Sequence, residues 1–160
     1  MNLTQMKNTV LAALAVAGSA VAQALARLDD VVAQSPRVIS LLAGINDISG
    51  GRTAEDIITT YRELLDELSL RLPNTAIIVT SGLPVTASHP IDNRDVTALN
   101  ALLRTLCEEK GVAYVDVYSE FCDADGNLSA ALASDNVHPN VSGYLIWLQA
   151  LNTALSDALM

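Results

Sequence analysis

Short apolar runs alternate with long amphipathic stretches along this chain, and that alternation restricts its fold more than any other feature. Residues 38–43, 76–80 and 112–118 are rich in Val, Ile, Leu and Ala, and the first is closed by Gly44. Runs of this length without polar alternation read as strands buried on both faces. Between them the apolar positions recur at helical spacing: Val21, Leu25, Leu28 and Val32, then Ile57, Tyr61, Leu64, Leu68 and Leu72, then Val96, Leu99, Leu103 and Leu106. Each set puts one apolar face on a helix. The punctuation agrees. Pro36 and Pro73 end the first two helices, and Gly111 stands where a helix C-cap favours glycine. Thr53 can cap the second helix, with Glu55 and Asp56 in its positive first turn. Residues 128–132 are expected to form a short helix, and Tyr144, Leu148, Leu151, Leu155 and Leu159 give a terminal one. Strands alternating with helices imply an α/β fold with a parallel sheet covered on both faces. Ligands in such folds bind beyond the carboxyl ends of the strands. Attention therefore falls on residues 44–47 and on the loops after Thr80 and Tyr118.

At 160 residues the chain suits one domain with a single core. Apolar residues make up 51%, too many for a disordered chain. With 18 acidic against 9 basic residues the net charge is −9, which disfavours nucleic acid and offers no polybasic patch to a membrane surface. Two cysteines, Cys107 and Cys122, are too few for a disulfide framework or a four-cysteine zinc site, and read as unpaired thiols. The N-terminal end admits two readings. Lys7, the apolar residues 10–17 and the small-x-small triplet 22–24 have the features of a secretory signal. The same apolar run serves equally as a buried strand or the start of a helix, and it is too short to span a membrane. A cytoplasmic location is expected unless that segment is a cleaved signal.

Two segments carry chemistry. Gly44 permits a tight turn at the end of a buried strand, and an amide such as Asn46 there can donate to a developing oxyanion. The competing reading is an Asx turn, with Asn46 and Asp47 bonding local backbone. Asp135 precedes His138 by three residues in a loop, close enough to fix the imidazole tautomer and support it as a general base. The competing reading is a surface turn capped by Asp135. His89 sits in a loop at the same edge and reads as solvated. Trp147 reads as an anchor of the last helix, and Asp116 as a structural hydrogen-bonding group.

Taken together, Gly44-Ile45-Asn46-Asp47 and Ser134-Asp135-Asn136-Val137-His138-Pro139-Asn140 with Gly143-Tyr144 resemble the SGNH (GDSL-type) hydrolase family of esterases and lipases. Residues 26–30, Leu99-Asn100 and Val115-Asp116 also look family-like, so the resemblance runs over about residues 18–155. It implies a flavodoxin-like three-layer α/β/α sandwich with a parallel sheet. It also implies His138 as general base, Asp135 as its orienting acid, and Asn46 beside Gly44 as oxyanion donor. Gly18 falls where the family places a further glycine facing the oxyanion. No metal or organic cofactor is implied. The substrate class would be an acyl ester of a small molecule, carbohydrate or lipid.

The chain departs from the family pattern at one place. No Gly-Asp-Ser, the block whose serine is the nucleophile, occurs in it, and 17 residues precede Gly18. The expectation is an N-terminally truncated family fold, with residues 1–17 as an alanine-rich replacement segment and 18–160 as the hydrolase-like domain. Ser19 is the first substitute nucleophile, ahead of a helix, with a plain N-cap as its other reading. Ser49, Ser81 and Ser88 rank below it. Without the family's first strand, the strand at residues 38–43 would have an open edge, filled by the N-terminal segment or paired with a second copy as a homodimer. Two functional readings stand: an ester hydrolase, and an inactive hydrolase-like domain serving as a binding or interaction module. A nucleotide-binding domain is a weaker third, because the chain has no glycine-rich phosphate turn.

Overall fold

The computed structural model describes residues 11–14 and 20–159. Four parallel strands lie in the order β1 (Leu11–Leu14), β2 (Val38–Leu41), β3 (Ala76–Thr80) and β4 (Ala113–Val115). The helices are α1 (Val21–Ala26), α2 (Leu28–Gln34), α3 (Ile45–Ser49), α4 (Ala54–Arg71), α5 (Asn93–Lys110), α6 (Tyr118–Phe121) and α7 (Val141–Leu159). α1, α2, α4 and α5 pack with the Ile39, Leu41, Ile77 and Val79 side of the sheet. α7 lies along β3 and β4 on the other side. The result is the three-layer, flavodoxin-like arrangement expected for the alternating sequence.

The main core is built by the helical stripes. Ile57, Tyr61, Leu64, Leu68 and Leu72 of the α4 segment are buried, as are Val96, Leu99, Leu103 and Leu106 of α5. Thr53 caps α4 by accepting from the Asp56 amide at 3.2 Å, and Gly111 ends α5 in the left-handed region at φ 64°. Leu11–Leu14 pairs with β2 from Leu11↔Val38 to Leu14↔Leu41, so the edge of β2 expected to lie open is occupied. Among the described residues, no helix is long and apolar enough to cross a membrane.

The structure corrects several element boundaries. β2 stops at Leu41, not Ala43, because the Tyr61 hydroxyl takes both backbone groups of Ala43, accepting from its N–H at 3.0 Å and donating to its carbonyl at 2.9 Å. β4 stops at Val115 because the Asp116 carboxylate accepts from the Tyr118 amide at 3.0 Å and turns the chain into α6. The first helix is two, parted at Arg27, whose amide is shared between the Gln23 and Ala24 carbonyls. Residues 128–132 make no helix. Leu128 bridges Cys122 antiparallel, and a turn closes from the Leu132 amide to the Ser129 carbonyl. On α7, Tyr144 and Leu148 face outward at 47% and 54% exposure. Ile146, Trp147 and Ala150 pack instead against Val117, Phe121 and Leu128.

One polar residue stands within the apolar stripe of α5. Asn100 accepts from the Gly82 amide at 2.7 Å and donates to the Gly82 carbonyl at 3.1 Å, gripping the chain just after β3. Asn100→Ala leaves both backbone groups without partners. It is expected to destabilise the fold by about 2–4 kcal/mol in urea unfolding, with faster amide exchange at Gly82.

Candidate active site

Gly44 and Asn46 follow the carboxyl end of β2, and Asp135 and His138 lie in the loop that leads into α7. Gly44 comes three residues after β2, at φ 120°, where only glycine is at ease. A β-carbon there would also meet Leu99 Cδ2 at 2.7 Å, so the turn is fixed by conformation and by packing. Asn46 follows in the first turn of α3, half-buried, with its side-chain amide bonded to no described residue. Its neighbour Asp47 is 2% exposed. One carboxylate oxygen accepts from the Val21 amide at 2.8 Å and the other from Arg52 Nη1 at 2.6 Å. Arg52 also donates to the Asp56 carbonyl at 2.8 Å and to Thr60 Oγ1 at 2.9 Å. Asp47 is therefore not the local Asx turn of the competing reading. It is a long-range anchor tying the start of α1 to the Asn46 turn.

The second part lies in the loop before α7. His138 Nδ1 stands 2.7 Å from Asp135 Oδ2, while Asp135 Oδ1 accepts from the Val137 and His138 amides at 2.7 Å each. Three hydrogen bonds to its charged form hold the Asp135 carboxyl well below the ordinary range, at about 2, with the two backbone amides as leading causes. A carboxylate at Nδ1 favours the tautomer with its proton on Nδ1, leaving Nε2 to accept. The imidazole is 63% exposed and so open to a reacting partner. The base of the loop is closed by an Ala133–Pro139 bridge and by Ser134, whose amide and hydroxyl both donate to the His138 carbonyl. Asn140 accepts from the Gly143 amide at 3.1 Å and so starts α7.

Other residues singled out by sequence take structural positions. Ser81 is fully buried, and its hydroxyl accepts from the Val117 and Tyr118 amides at 3.0 Å each, which removes it as a nucleophile. His89 Nδ1 accepts from the Ile91 amide at 3.1 Å, capping its own loop. Asp116 caps α6 and pairs with Arg104. Cys107 and Cys122 are both free, and burial pushes the Cys107 thiol up to about 11. Gly18 and Ser19 lie outside the described residues.

Sequence reasoning missed the side chains that hold the loops. Tyr61 grips Ala43, Asn100 grips Gly82, and Asn93 grips Val85 through both its amide atoms, at 2.9 and 2.8 Å. The signal was present for two of them. A polar Asn100 inside an apolar stripe needs a buried partner, and Asn93 lies seven residues before it, two turns down the same helix.

Residues 2–146 match the model of the GDSL-like Lipase/Acylhydrolase family, and the chain belongs to that family. The fold is shared with a GDSL-like lipase from Bacteroides thetaiotaomicron, at a TM-score of 0.79 and 24% identity over 88% of this chain and 73% of that one. The acetylxylan esterase Axe2 from Geobacillus stearothermophilus superposes at a TM-score of 0.70 and 28% identity, over 84% of this chain and 66% of that one. By sequence, an acetylxylan esterase from Geobacillus stearothermophilus is 26% identical over 133 residues. An N-acylneuraminate cytidylyltransferase from Streptococcus agalactiae is 28% identical over 98 residues. The aligned segments take in 76% and 59% of this chain but only 60% and 22% of those two enzymes.

Two outcomes test this geometry. The folded Asp135 carboxyl lies below its unfolded value of about 3.9, so its ionised form favours the folded loop. That contribution is full above about pH 4 and is lost as the pH falls through about 2. A carboxyl titration followed by NMR should place Asp135 near the lower figure, and Asp135→Asn should abolish that step. Asp47→Ala strips a buried charge partner from Arg52 and an acceptor from Val21. It is expected to cost about 2–4 kcal/mol in urea unfolding.

Proposed function

We propose that the chain is an acyl-ester hydrolase in which His138 is the general base, Asp135 orients it, and Asn46 with the Gly44 backbone holds the oxyanion. The observation that carries this reading is the 2.7 Å contact between Asp135 and an open His138 imidazole, in a chain of the GDSL-like family. A hydroxyl attacks the acyl carbonyl while Nε2 of His138 takes its proton, and the Nδ1 proton stays hydrogen-bonded to Asp135. The carbonyl oxygen gains negative charge and is met by the Asn46 amide. Collapse expels the alcohol, which receives the proton from His138. Water, activated the same way, then releases the acid and restores the enzyme.

Ser19 is the first candidate for the attacking hydroxyl. The Val21 amide is bonded to Asp47, so the chain entering α1 does so beside the Asn46 turn. Short acyl groups on a carbohydrate are the substrate class we favour, because acetylxylan esterase from Geobacillus stearothermophilus is similar in both sequence and structure. Resemblance to the family adds the Gly18 backbone N–H as a further oxyanion donor.

Fluorophosphonate labelling with peptide mapping, beside hydrolysis of nitrophenyl acetate and an acetylated xylo-oligosaccharide, tests the proposal. One serine should be labelled, and turnover should fall by ~10²–10⁴-fold in His138→Ala and by about 10²–10³-fold in Asn46→Ala. No label and no turnover from folded protein would favour an inactive domain that keeps the base and the oxyanion amide without a nucleophile.

A further inference from the structure

The loop carrying Asp135 and His138 is a tip whose internal bonds do not fix where the tip itself sits. Among the described residues, Asp135, Val137 and His138 make hydrogen bonds only within the loop. Asn136, between them, reaches a different part of the fold. Its carbonyl accepts from the Thr86 amide at 3.1 Å, and its Oδ1 accepts from Thr86 Oγ1 at 3.1 Å and from Ser88 Oγ at 3.4 Å. These partners lie about fifty residues away in sequence, in the loop that joins β3 to α5.

Thr86 is a firm place to tie to. The preceding residue, Val85, is 1% exposed. Its amide donates to Asn93 Oδ1 at 2.9 Å, and its carbonyl accepts from Asn93 Nδ2 at 2.8 Å and from the Leu128 amide at 3.0 Å. Asn93 also donates to Asn127 Oδ1 at 3.1 Å. The tether therefore runs from the rigid first turn of α5, through Val85, to Thr86, and from there to the residue between the acid and the base.

We propose that Thr86 is a positioning residue for His138: by holding both the carbonyl and the side chain of Asn136, it fixes the Asp135–His138 pair as a unit at the active edge. The inference rests on the reading of His138 as the base, but the tether itself does not depend on turnover. Loss of the Thr86 hydroxyl leaves the Asp135–His138 contact intact and lets the pair move together. Catalysis by a base needs its nitrogen within hydrogen-bond reach of the attacking hydroxyl, so small displacements are costly. The expected effect falls on kcat and leaves KM nearly unchanged, because Thr86 contacts the loop and not the substrate.

The test compares the unaltered chain with Thr86→Val, which is isosteric but lacks the hydroxyl, Thr86→Ser, which restores it, and Asn136→Ala, which removes the side-chain acceptor. The bond from the Thr86 amide to the Asn136 carbonyl is kept in all four, so the comparison isolates the side-chain tether. The substrate-free readout is ring-carbon NMR relaxation of His138, with exchange of the 136–138 amides. Thr86→Val and Asn136→Ala should raise the exchange contribution at His138 at least twofold, and Thr86→Ser should return it to the starting value. With nitrophenyl acetate, kcat should fall about tenfold in the first two variants at constant KM, and recover in Thr86→Ser. Should Thr86→Val fail to fold, the exposed Asn136→Ala decides alone. Identical His138 relaxation in all four proteins overturns the tether. Absent turnover in the unaltered chain counts against the hydrolase reading only, since the relaxation comparison uses no substrate.

Discussion

A buried carboxylate organises this fold beyond the carboxyl end of β2. The Asp47 side chain has no exposed surface, and an ionised group so placed is tolerated only when its oxygens are satisfied. Here one oxygen draws in the Val21 amide and the other draws in Arg52, which continues to the Asp56 carbonyl and Thr60. Three segments are thereby locked together: the start of α1, 26 residues upstream of Asp47, the Asn46 turn and the first turns of α4. Asp47 takes the structural role, and the side-chain amide of its neighbour Asn46 bonds to no described residue.

The same economy recurs along the edge. A parallel sheet leaves backbone groups unpaired where each strand ends, and those groups must find partners. Tyr61 serves Ala43 after β2, Asn100 serves Gly82 after β3, and the Ser81 hydroxyl serves Val117 and Tyr118 after β4. Each clamp is one side chain with an acceptor or donor aimed at the loop root. Burial raises the Tyr61 hydroxyl well above the ordinary range, so it remains a neutral donor and acceptor at all working pH values. The turn that bears Asn46 thus rises from a fixed root, and the loop that bears His138 is closed by its own Ala133–Pro139 bridge.

Much of this was legible beforehand because periodicity reports burial directly. The stripes of α4 and α5 face the core as spaced, Thr53 and Gly111 cap as their chemistry dictates, and the strands appear where the apolar runs lie. Asp135 and His138 could be paired from their spacing because a three-residue turn brings their side chains together locally. Errors came where a distant group ended an element. β2 was read two residues too long because Tyr61, eighteen residues downstream, captures Ala43. Helical spacing of Tyr144, Leu148 and Leu151 announces α7, and the tertiary packing turns the face with Ile146 and Trp147 inward. On a helix with apolar residues nearly all round, spacing alone does not choose a side.

The sequence by itself determined the alternating α/β architecture and the nearness of Asp135 to His138, both of which follow from local pattern and short spacing. The family rests on the likeness of its motifs to known members and on the match to the family model. Only the tertiary structure decided that Leu11–Leu14 occupies the edge of β2, that Asp47 serves as an anchor for the start of α1, and that Ser81 is consumed as a buried acceptor. It also decided that Thr86 meets Asn136. Each of these outcomes depends on which donors and acceptors arrive from elsewhere in the chain. Hydrogen-bond satisfaction in a buried site is a property of the assembled neighbourhood, and a residue's type states only what it can offer.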